Sequence, residues 1–91
     1  MNQINKKDGF YPSENLRSRL IELGVPRAKH DIVQLGEVLP KGCFTTKTES
    51  DEFPWRCEYK GGYGVTASGA NTEADARAKM LVYLLENGLI K

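Results

Sequence analysis

The stretch Thr72-Glu-Ala-Asp-Ala-Arg-Ala-Lys-Met-Leu-Val-Tyr-Leu-Leu-Glu-Asn-Gly88 decides the fold, because it predicts a long helix with clear boundaries. Its first four residues have the form of a capping box, with Asp75 in place of the usual Glu or Gln. Gly88 accepts the left-handed conformation that ends a helix, and Leu89 is then placed to fold back onto Leu84. The apolar residues that share one helical face are Ala74, Ala78, Leu81 and Leu85. We therefore predict an amphipathic core helix that carries no chemistry of its own.

The size and charge of the chain restrict the fold and the partners it can have. Ninety-one residues make one small domain with one hydrophobic layer. The 13 Lys and Arg nearly balance the 12 Asp and Glu, which argues against a protein whose affinity comes from neutralising many phosphates. The charge is segmental, since residues 1–30 have six basic and three acidic side chains, while residues 31–59 have three and six. We predict a flexible polar segment over residues 1–9 and a single domain over residues 10–91.

The chain has no recognisable signal for export or for membrane insertion. No apolar run approaches the length of a membrane span, and the start MNQINKKDG lacks the apolar core of a signal peptide. Cys43 and Cys57 are the two cysteines of the chain. Without an export signal, two cysteines are expected to stay as free thiols in a reducing compartment. We therefore expect a cytoplasmic protein that does not contact a membrane.

A first helix is predicted near the start of the domain. Ser13 stands where an N-cap is expected, and its hydroxyl oxygen is the type of acceptor that caps use. Gly24 ends the helix, and Pro26 prevents its continuation. The apolar stripe of this helix is Leu16, Leu20 and Leu23.

A second, shorter helix is predicted over residues 31–39, with a strand as the alternative. Asp31 followed by Gln34 has the form of a cap, and Pro40 marks the end. The apolar residues Ile32, Leu35 and Leu39 fall at helical spacing. Gly36 in the middle costs about 1 kcal/mol relative to Ala, which keeps the strand alternative open.

Residues 43–69 predict an antiparallel meander of three strands. Phe53, Trp55, Cys57 and Tyr59 alternate with polar residues, which is the period of a strand with one buried face. Pro54 lacks a ladder donor, so it is expected at the start of its strand or on an unpaired side.

The register of the meander is predicted by placing apolar residues opposite apolar residues. This rule pairs Tyr59 with Val65 and leaves Lys60–Gly64 as a five-residue loop, whereas a Gly61-Gly62 turn would turn Val65 outward. In the earlier hairpin it closes Thr48 onto Phe53 around a four-residue loop and aligns Phe44 with Cys57. The predicted inner face, packed on the C-terminal helix, consists of Phe44, Trp55, Cys57, Tyr59, Val65 and Ala67. The whole pattern predicts an α+β fold.

Two loops are the candidates for binding a protein partner. The loop Lys60–Gly64 surrounds one tyrosine with three glycines, which can hold an aromatic ring out at a hairpin tip. Its alternative is a permissive loop whose tyrosine folds back on the sheet. The second loop is acidic and is suited to a basic partner or a cation, or else it is a solvated turn. The candidate contact residues are Lys60, Tyr63, Glu49, Asp51 and Glu52.

Catalysis, cofactors and metals are not expected. His30 is the single histidine, and its position beside a helix start predicts a surface or capping role. The predicted register points Cys57 into the core and Cys43 to the opposite face, so no thiol–histidine pair is expected. Two Cys and one His without paired spacing do not form an ordinary zinc site.

Nucleic-acid binding is the alternative function, through the basic residues of the first third of the chain. These residues are Lys6, Lys7, Arg17, Arg19, Arg27 and Lys29. Trp55 and Tyr59 share a strand face and could stack on bases, but the C-terminal helix is expected to cover that face and make them core.

The element order over residues 13–87 resembles that of the double-stranded RNA-binding domain, a helix, three antiparallel strands and a helix. That family directs a lysine-rich start of its last helix at phosphates. The corresponding residues 72–79 begin with an acidic, self-capped turn that repels phosphate. The resemblance therefore implies the topology more strongly than RNA binding.

A second resemblance covers residues 31–91. The segment Leu35-Gly-Glu-Val-Leu-Pro40, the strand with Trp55 and the string from Thr72 to Ile90 are similar to small, mostly uncharacterised proteins of phages and prophages. This resemblance implies an accessory protein that acts in a bacterial cytoplasm, and some small phage proteins inhibit host defence nucleases by binding them. The leading hypothesis is a non-enzymatic module that binds a host or phage protein and modulates a host or defence protein.

Overall fold

A computed structural model describes residues 10–61 and 64–90, and the side chains of residues 61–66 lie outside this description. The predicted flexible segment 1–9 and Tyr63 also lie outside the described residues. The described elements are α1 (Glu14–Glu22), a 3-10 helix (Arg27–Lys29), α2 (Ile32–Val38), β1 (Cys43–Lys47), β2 (Trp55–Gly61), β3 (Gly64–Ala70) and α3 (Glu73–Glu86). The strands form an antiparallel sheet in the order β1-β2-β3, and α3 packs on it. The α+β prediction is confirmed, and residues 32–38 are helical.

The boundaries of α3 follow its local sequence. The Thr72 hydroxyl oxygen accepts a hydrogen bond of 3.1 Å from the Asp75 backbone N–H, as a capping box requires. At the other end Gly88 has a φ of 67°, and the Leu89 N–H donates to the Leu84 carbonyl at 2.9 Å. This Schellman arrangement confirms the predicted end of the helix.

The predicted cap of α2 is confirmed, and that of α1 is confirmed in its position but not in its side-chain hydrogen bond. The Asp31 carboxylate accepts a bond of 2.9 Å from the Gln34 N–H, as predicted. Ser13 occupies the N-cap position of α1, but its side chain makes no capping bond. Instead its backbone N–H donates to the Asp75 carboxylate at 2.7 Å, so a contact from α3 positions the start of α1.

The helix α3 is buried on two sides. Three of the residues predicted for its apolar stripe, Ala74, Ala78 and Leu81, are fully buried. A second row, Ala76, Met80 and Leu84, is fully buried as well. The sheet covers one side of α3, while α1 and α2 pack against other parts of the same helix. The single stripe predicted from sequence is therefore half of a wider buried surface, and α3 is the centre of the core. Within the described residues, no helix is long and apolar enough to cross a membrane.

A polar cluster joins α3 to α2 and β1. The Arg77 guanidinium donates to the Ile32 carbonyl and also to the Glu73 carboxylate at 2.9 Å. The same Glu73 oxygen accepts a bond of 2.6 Å from the Thr45 hydroxyl. Gly36 makes room for this arrangement, because a Cβ atom at Gly36 would lie 2.7 Å from Arg77 Nη1.

The predicted register between β2 and β3 is wrong by one residue. Tyr59 lies opposite Thr66 instead of Val65, and Gly61 lies opposite Gly64, so the loop has two residues. Ala67 is therefore exposed on the outer side of the sheet, whereas the predicted burial of the Val65 side chain lies outside the described residues. The pairing rule failed because the side of β3 that faces α3 carries small residues, ending at the buried Ala70.

The register between β1 and β2 differs from the prediction by one residue as well. Thr45 lies opposite Cys57, and Cys43 lies opposite Tyr59. Cys43 therefore shares the inner face with Cys57, while Phe44 lies on the outer face and is 43% exposed. Thr48 still closes the loop, but its N–H pairs with Pro54 at 2.6 Å instead of with Phe53. Trp55 and Tyr59 are partly buried against the core, as predicted.

Candidate functional site

The outer face of the sheet, the side turned away from α3, presents large apolar side chains to solvent. Alternation along the strands places on it the residues Phe44, Thr46, Arg56, Glu58, Lys60, Ala67 and Gly69. Phe53 joins this face from the loop before β2, because its ring lies over Gly69, and it is 50% exposed. The predicted alternation placed Phe53 on the buried face, and that assignment is wrong.

A lysine lies over each of the two phenylalanine rings on this face. Lys60 Nζ is 5.9 Å from the centre of the Phe44 ring, and Lys79 Nζ is 5.7 Å from the centre of the Phe53 ring. Both distances suit a cation–π contact, which at exposed sites contributes about 0.5–1 kcal/mol. Lys79 also donates to the Gly69 carbonyl at 3.0 Å. The aromatic rings are therefore held in place and remain accessible from the solvent side.

A groove of about 410 Å³ runs beside Phe53 on this side of the sheet. It is open because Ala67 and Gly69 have little or no side chain, and a Cβ atom on Gly69 would lie 3.0 Å from Phe53 Cβ. An apolar wall with polar groups at its rim is a common form of binding groove. The residues that line the groove are Thr48, Ser50, Phe53, Arg56, Ala67, Ser68 and Gly69.

The acidic loop adjoins the same groove and is ordered by its own hydroxyl groups. The Thr48 hydroxyl donates to the Phe53 carbonyl at 2.8 Å, and the Ser50 hydroxyl accepts from the Phe53 N–H at 3.1 Å. The three carboxylate side chains of the loop, Glu49, Asp51 and Glu52, are exposed. On the sheet itself Arg56 is paired with Glu58 at 2.7 Å. The site therefore combines aromatic rings, paired charges and a nearby negative loop.

The structure separates the two groups of residues that the sequence indicated for partner binding. Lys60 lies on the outer face near one end of β2, and the loop with Glu49, Asp51 and Glu52 lies beyond the other end. Phe44, Phe53 and Lys79 were missed. Phe44 was missed because the predicted register placed it on the buried face. Phe53 was missed because the alternation of apolar residues assigned it to the core.

The arginines of the nucleic-acid alternative are engaged with other protein groups. Arg19 donates to Glu22 at 2.8 Å and to Glu86 at 2.6 Å, and these hydrogen bonds raise its pKa further above the usual value. Arg27 lies 3.8 Å from the Glu14 carboxylate. Lys6 and Lys7 lie outside the described residues, and Lys29 lines an apolar pocket between the helices.

Arg17 and His30 form an internal contact. His30 is fully buried, so the predicted surface role is wrong, and its side chain bonds Arg17 and Val25 instead of capping the start of α2. Its Nδ1 accepts from Arg17 Nε at 3.2 Å, and its Nε2 lies 2.9 Å from the Val25 carbonyl, to which it donates. The Arg17 guanidinium also lies 4.7 Å from the centre of the Tyr11 ring. Because both ring nitrogens are engaged and the ring is enclosed, His30 stabilises the turn after α1.

The two thiols lie together under the sheet. Cys43 and Cys57 share the inner face and line one small cavity, which corrects their predicted placement on opposite faces. Burial raises the pKa of Cys43, and burial raises the pKa of Cys57 to about 12. Both groups are therefore neutral thiols near pH 7, which makes them poor nucleophiles. In the part of the chain that the structure describes, no cluster of three or more His, Cys, Asp or Glu side chains is placed to hold a metal ion.

Comparison of the chain with models of protein families, with curated proteins and with solved structures finds no match.

Proposed function

We propose that the chain is a non-enzymatic protein-binding module whose contact surface is the outer face of the sheet. The observation that carries the proposal is the pair of exposed phenylalanines, Phe44 and Phe53, each beneath a lysine and both on an open sheet face. Exposed aromatic residues of this kind are common anchors of protein interfaces. Lys60 belongs to this surface, and a contact by Tyr63 at the neighbouring hairpin stays a prediction.

The charges favour a protein partner over a nucleic acid. A nucleic-acid strand that stacked on Phe53 would pass the carboxylates of Glu49, Asp51 and Glu52, which repel phosphate. The arginines of the first third of the chain are already paired with carboxylates or with His30. A protein surface with basic groups beside an apolar patch matches the rings and the acidic loop together.

The similarity of the C-terminal helix to phage and prophage proteins suggests the biological setting. On this proposal the chain is an accessory protein of a phage or prophage, and it acts in the cytoplasm of a bacterial host. Its partner is a host protein, for which a defence protein is the specific hypothesis.

The proposal is tested by capture of the partner from bacterial lysate with a tagged chain and with surface variants. We expect Phe44→Ala and Phe53→Ala to reduce the recovery of the captured protein by about tenfold or more, as loss of an interface anchor does. Tyr83→Ala is the matched control, because Tyr83 is also an exposed aromatic residue, at 42%, but lies on α3. Melting temperatures of all three variants check that the fold is retained.

The outcomes separate the candidate functions. Equal capture by the phenylalanine variants and the wild-type chain would show that the partner binds elsewhere. Recovery of nucleic acid instead of protein, with retention at physiological salt, would favour the nucleic-acid alternative.

A further inference from the structure

The outer edge of β3 has few of the features that block strand pairing. β3 is an edge strand of the sheet, and its seven residues include neither a charged residue nor a proline. The other edge strand, β1, is shorter, ends in Lys47 and shares a small cavity with Gly36 of α2 and with Leu39, which follows that helix. Exposed edges normally carry charges, prolines or covering segments, since free backbone groups there recruit other strands.

The side chain of Lys79 shows which backbone groups of β3 point away from the sheet. Its Nζ donates to the Gly69 carbonyl at 3.0 Å, so the backbone of Gly69 faces the outer edge instead of β2. Backbone direction alternates along a strand, and Ala67 and Val65 therefore also direct their N–H and C=O groups outward. The loop between Gly61 and Gly64 agrees with this assignment, because a two-residue loop is closed by a pair that exchanges hydrogen bonds. The backbone groups of Gly64 therefore point toward β2, and those of Val65, Ala67 and Gly69 point away from it.

We infer that the outer edge of β3 receives an extended segment of the partner protein as a fourth strand. This inference rests on the proposed function and specifies how the partner is held. The main-chain groups of Ala67 and Gly69 would supply hydrogen bonds, and the groove beside Phe53 would receive a side chain of the added strand. The groove lies along the same strand, so one segment reaches both features.

The groove and Lys79 determine the chemistry of the added segment. The space above Ala67 and Gly69 suits a large apolar side chain, because these two residues contribute almost no volume. An incoming N–H that takes the Gly69 carbonyl releases Lys79 Nζ, which can then pair with a carboxylate. The segment is therefore an extended peptide with a large apolar residue next to an acidic one that faces Lys79, and the basic groups of the partner that face the acidic loop lie beyond this pair.

A second copy of the chain fits the edge less well. An antiparallel pair of β3 strands centred on Ala67 would oppose Ala67 to its own copy and would oppose Gly69 to residue 65. Side-chain pairs across strands provide much of the stability of a sheet, and alanine and glycine provide little of it. A dimer of the chain is therefore the less favoured occupant of this edge, and sedimentation distinguishes it from a bound peptide.

The test uses a displayed library of random ten-residue peptides selected on the whole chain. The tightest selected peptide is then measured by fluorescence anisotropy against wild type and three variants. Ala67→Pro removes an outward N–H but no bond to β2, so the fold should persist while the peptide binds about tenfold or more weakly. Ala67→Ser keeps the N–H and should bind within about threefold of wild type. Lys79→Ala frees the Gly69 carbonyl but removes the positive charge beside it. A second selection on this variant should therefore enrich peptides with fewer acidic residues.

Amide exchange on the wild-type chain keeps the test independent of how Ala67→Pro folds. The bound peptide should slow exchange at Ala67 and Gly69 and leave the amides of α1 unchanged. A library without enriched peptides, equal binding by Ala67→Pro or unchanged exchange at both positions would overturn the inference. A wild-type dimer in sedimentation that Ala67→Pro converts to a monomer would also overturn the inference, because the strand added to β3 would then come from a second copy of the chain. Partner capture that needs Phe44 and Phe53 but tolerates Ala67→Pro would overturn the edge site and leave the proposed function intact.

Discussion

Replacing Gly36 by alanine tests whether the Arg77 cluster holds α2 in place. In an ordinary helix this change stabilises by about 1 kcal/mol, because glycine is a poor helix former. Here the new Cβ atom would lie 2.7 Å from Arg77 Nη1, so the guanidinium has to leave its position. Its bond to the Ile32 carbonyl is charge-assisted, and such a bond contributes about 1.5–3 kcal/mol. We therefore expect Gly36→Ala to destabilise the wild-type chain by about 0.5–2 kcal/mol.

The sign of the effect should reverse when the arginine is absent. In an Arg77→Met background the alanine meets no guanidinium, and it should stabilise by about 1 kcal/mol. The double-mutant cycle then gives a coupling energy of about 1.5–3 kcal/mol between positions 36 and 77. Urea unfolding followed by circular dichroism measures all four chains. Stabilisation of the wild-type chain by Gly36→Ala, or a coupling energy near zero, would refute the reasoning, because Arg77 would then move aside without cost.

Three further predictions concern the core, the thiols and nucleic acid. Leu81→Ala should lower the free energy of unfolding by about 2–5 kcal/mol, because it leaves a cavity in the core. Tyr83→Ala, on the exposed side of α3, should change it by less than about 1 kcal/mol. Similar losses for the two variants in urea unfolding would contradict the burial of α3. Because the pKa of Cys57 rises from 9.0 to about 12 on folding, the unfolded chain loses this proton first. Wild type should therefore lose stability relative to Cys57→Ala from pH 9 upward, by at most about 1.4 kcal/mol per pH unit, and parallel pH curves for the two chains would exclude this linkage. Electrophoretic mobility shifts should reveal no duplex DNA or RNA binding that survives physiological salt, and a nanomolar complex there would contradict the proposed function.

The helix boundaries could be predicted because local residues determine them. The Thr72 hydroxyl bonds an N–H three residues away, and Gly88 adopts its left-handed conformation without reference to the rest of the fold. Asp31 acts in the same way at the start of α2. Ser13 shows the limit of this reasoning, because the carboxylate of Asp75 reaches its N–H from a distant part of the chain.

The strand register could not be predicted by matching apolar residues. The inner face accepts Thr45 and Ser68, because Glu73 satisfies the threonine hydroxyl and α3 packs closely through alanines. The outer face retains Phe44 in solvent under Lys60. The burial of Thr45 and the exposure of Phe44 each depend on a residue from another element. The pairing rule does not include such residues, so it selected a register shifted by one residue and placed the candidate site incorrectly. The burial of His30 likewise depends on Arg17 and Val25, which its neighbours in sequence do not reveal.

The central position of α3 also has a consequence for the order of folding. The sheet and the first two helices bury their apolar residues against residues 73–86, and those residues are synthesised after them. During translation Leu20, Leu35 and Cys57 therefore stay in contact with water until α3 emerges. Folding is expected to occur as one late, cooperative event, since the earlier segments have no core to form alone. A nascent chain stalled before residue 73 would present its apolar residues to chaperones and proteases, because it lacks the helix that covers them.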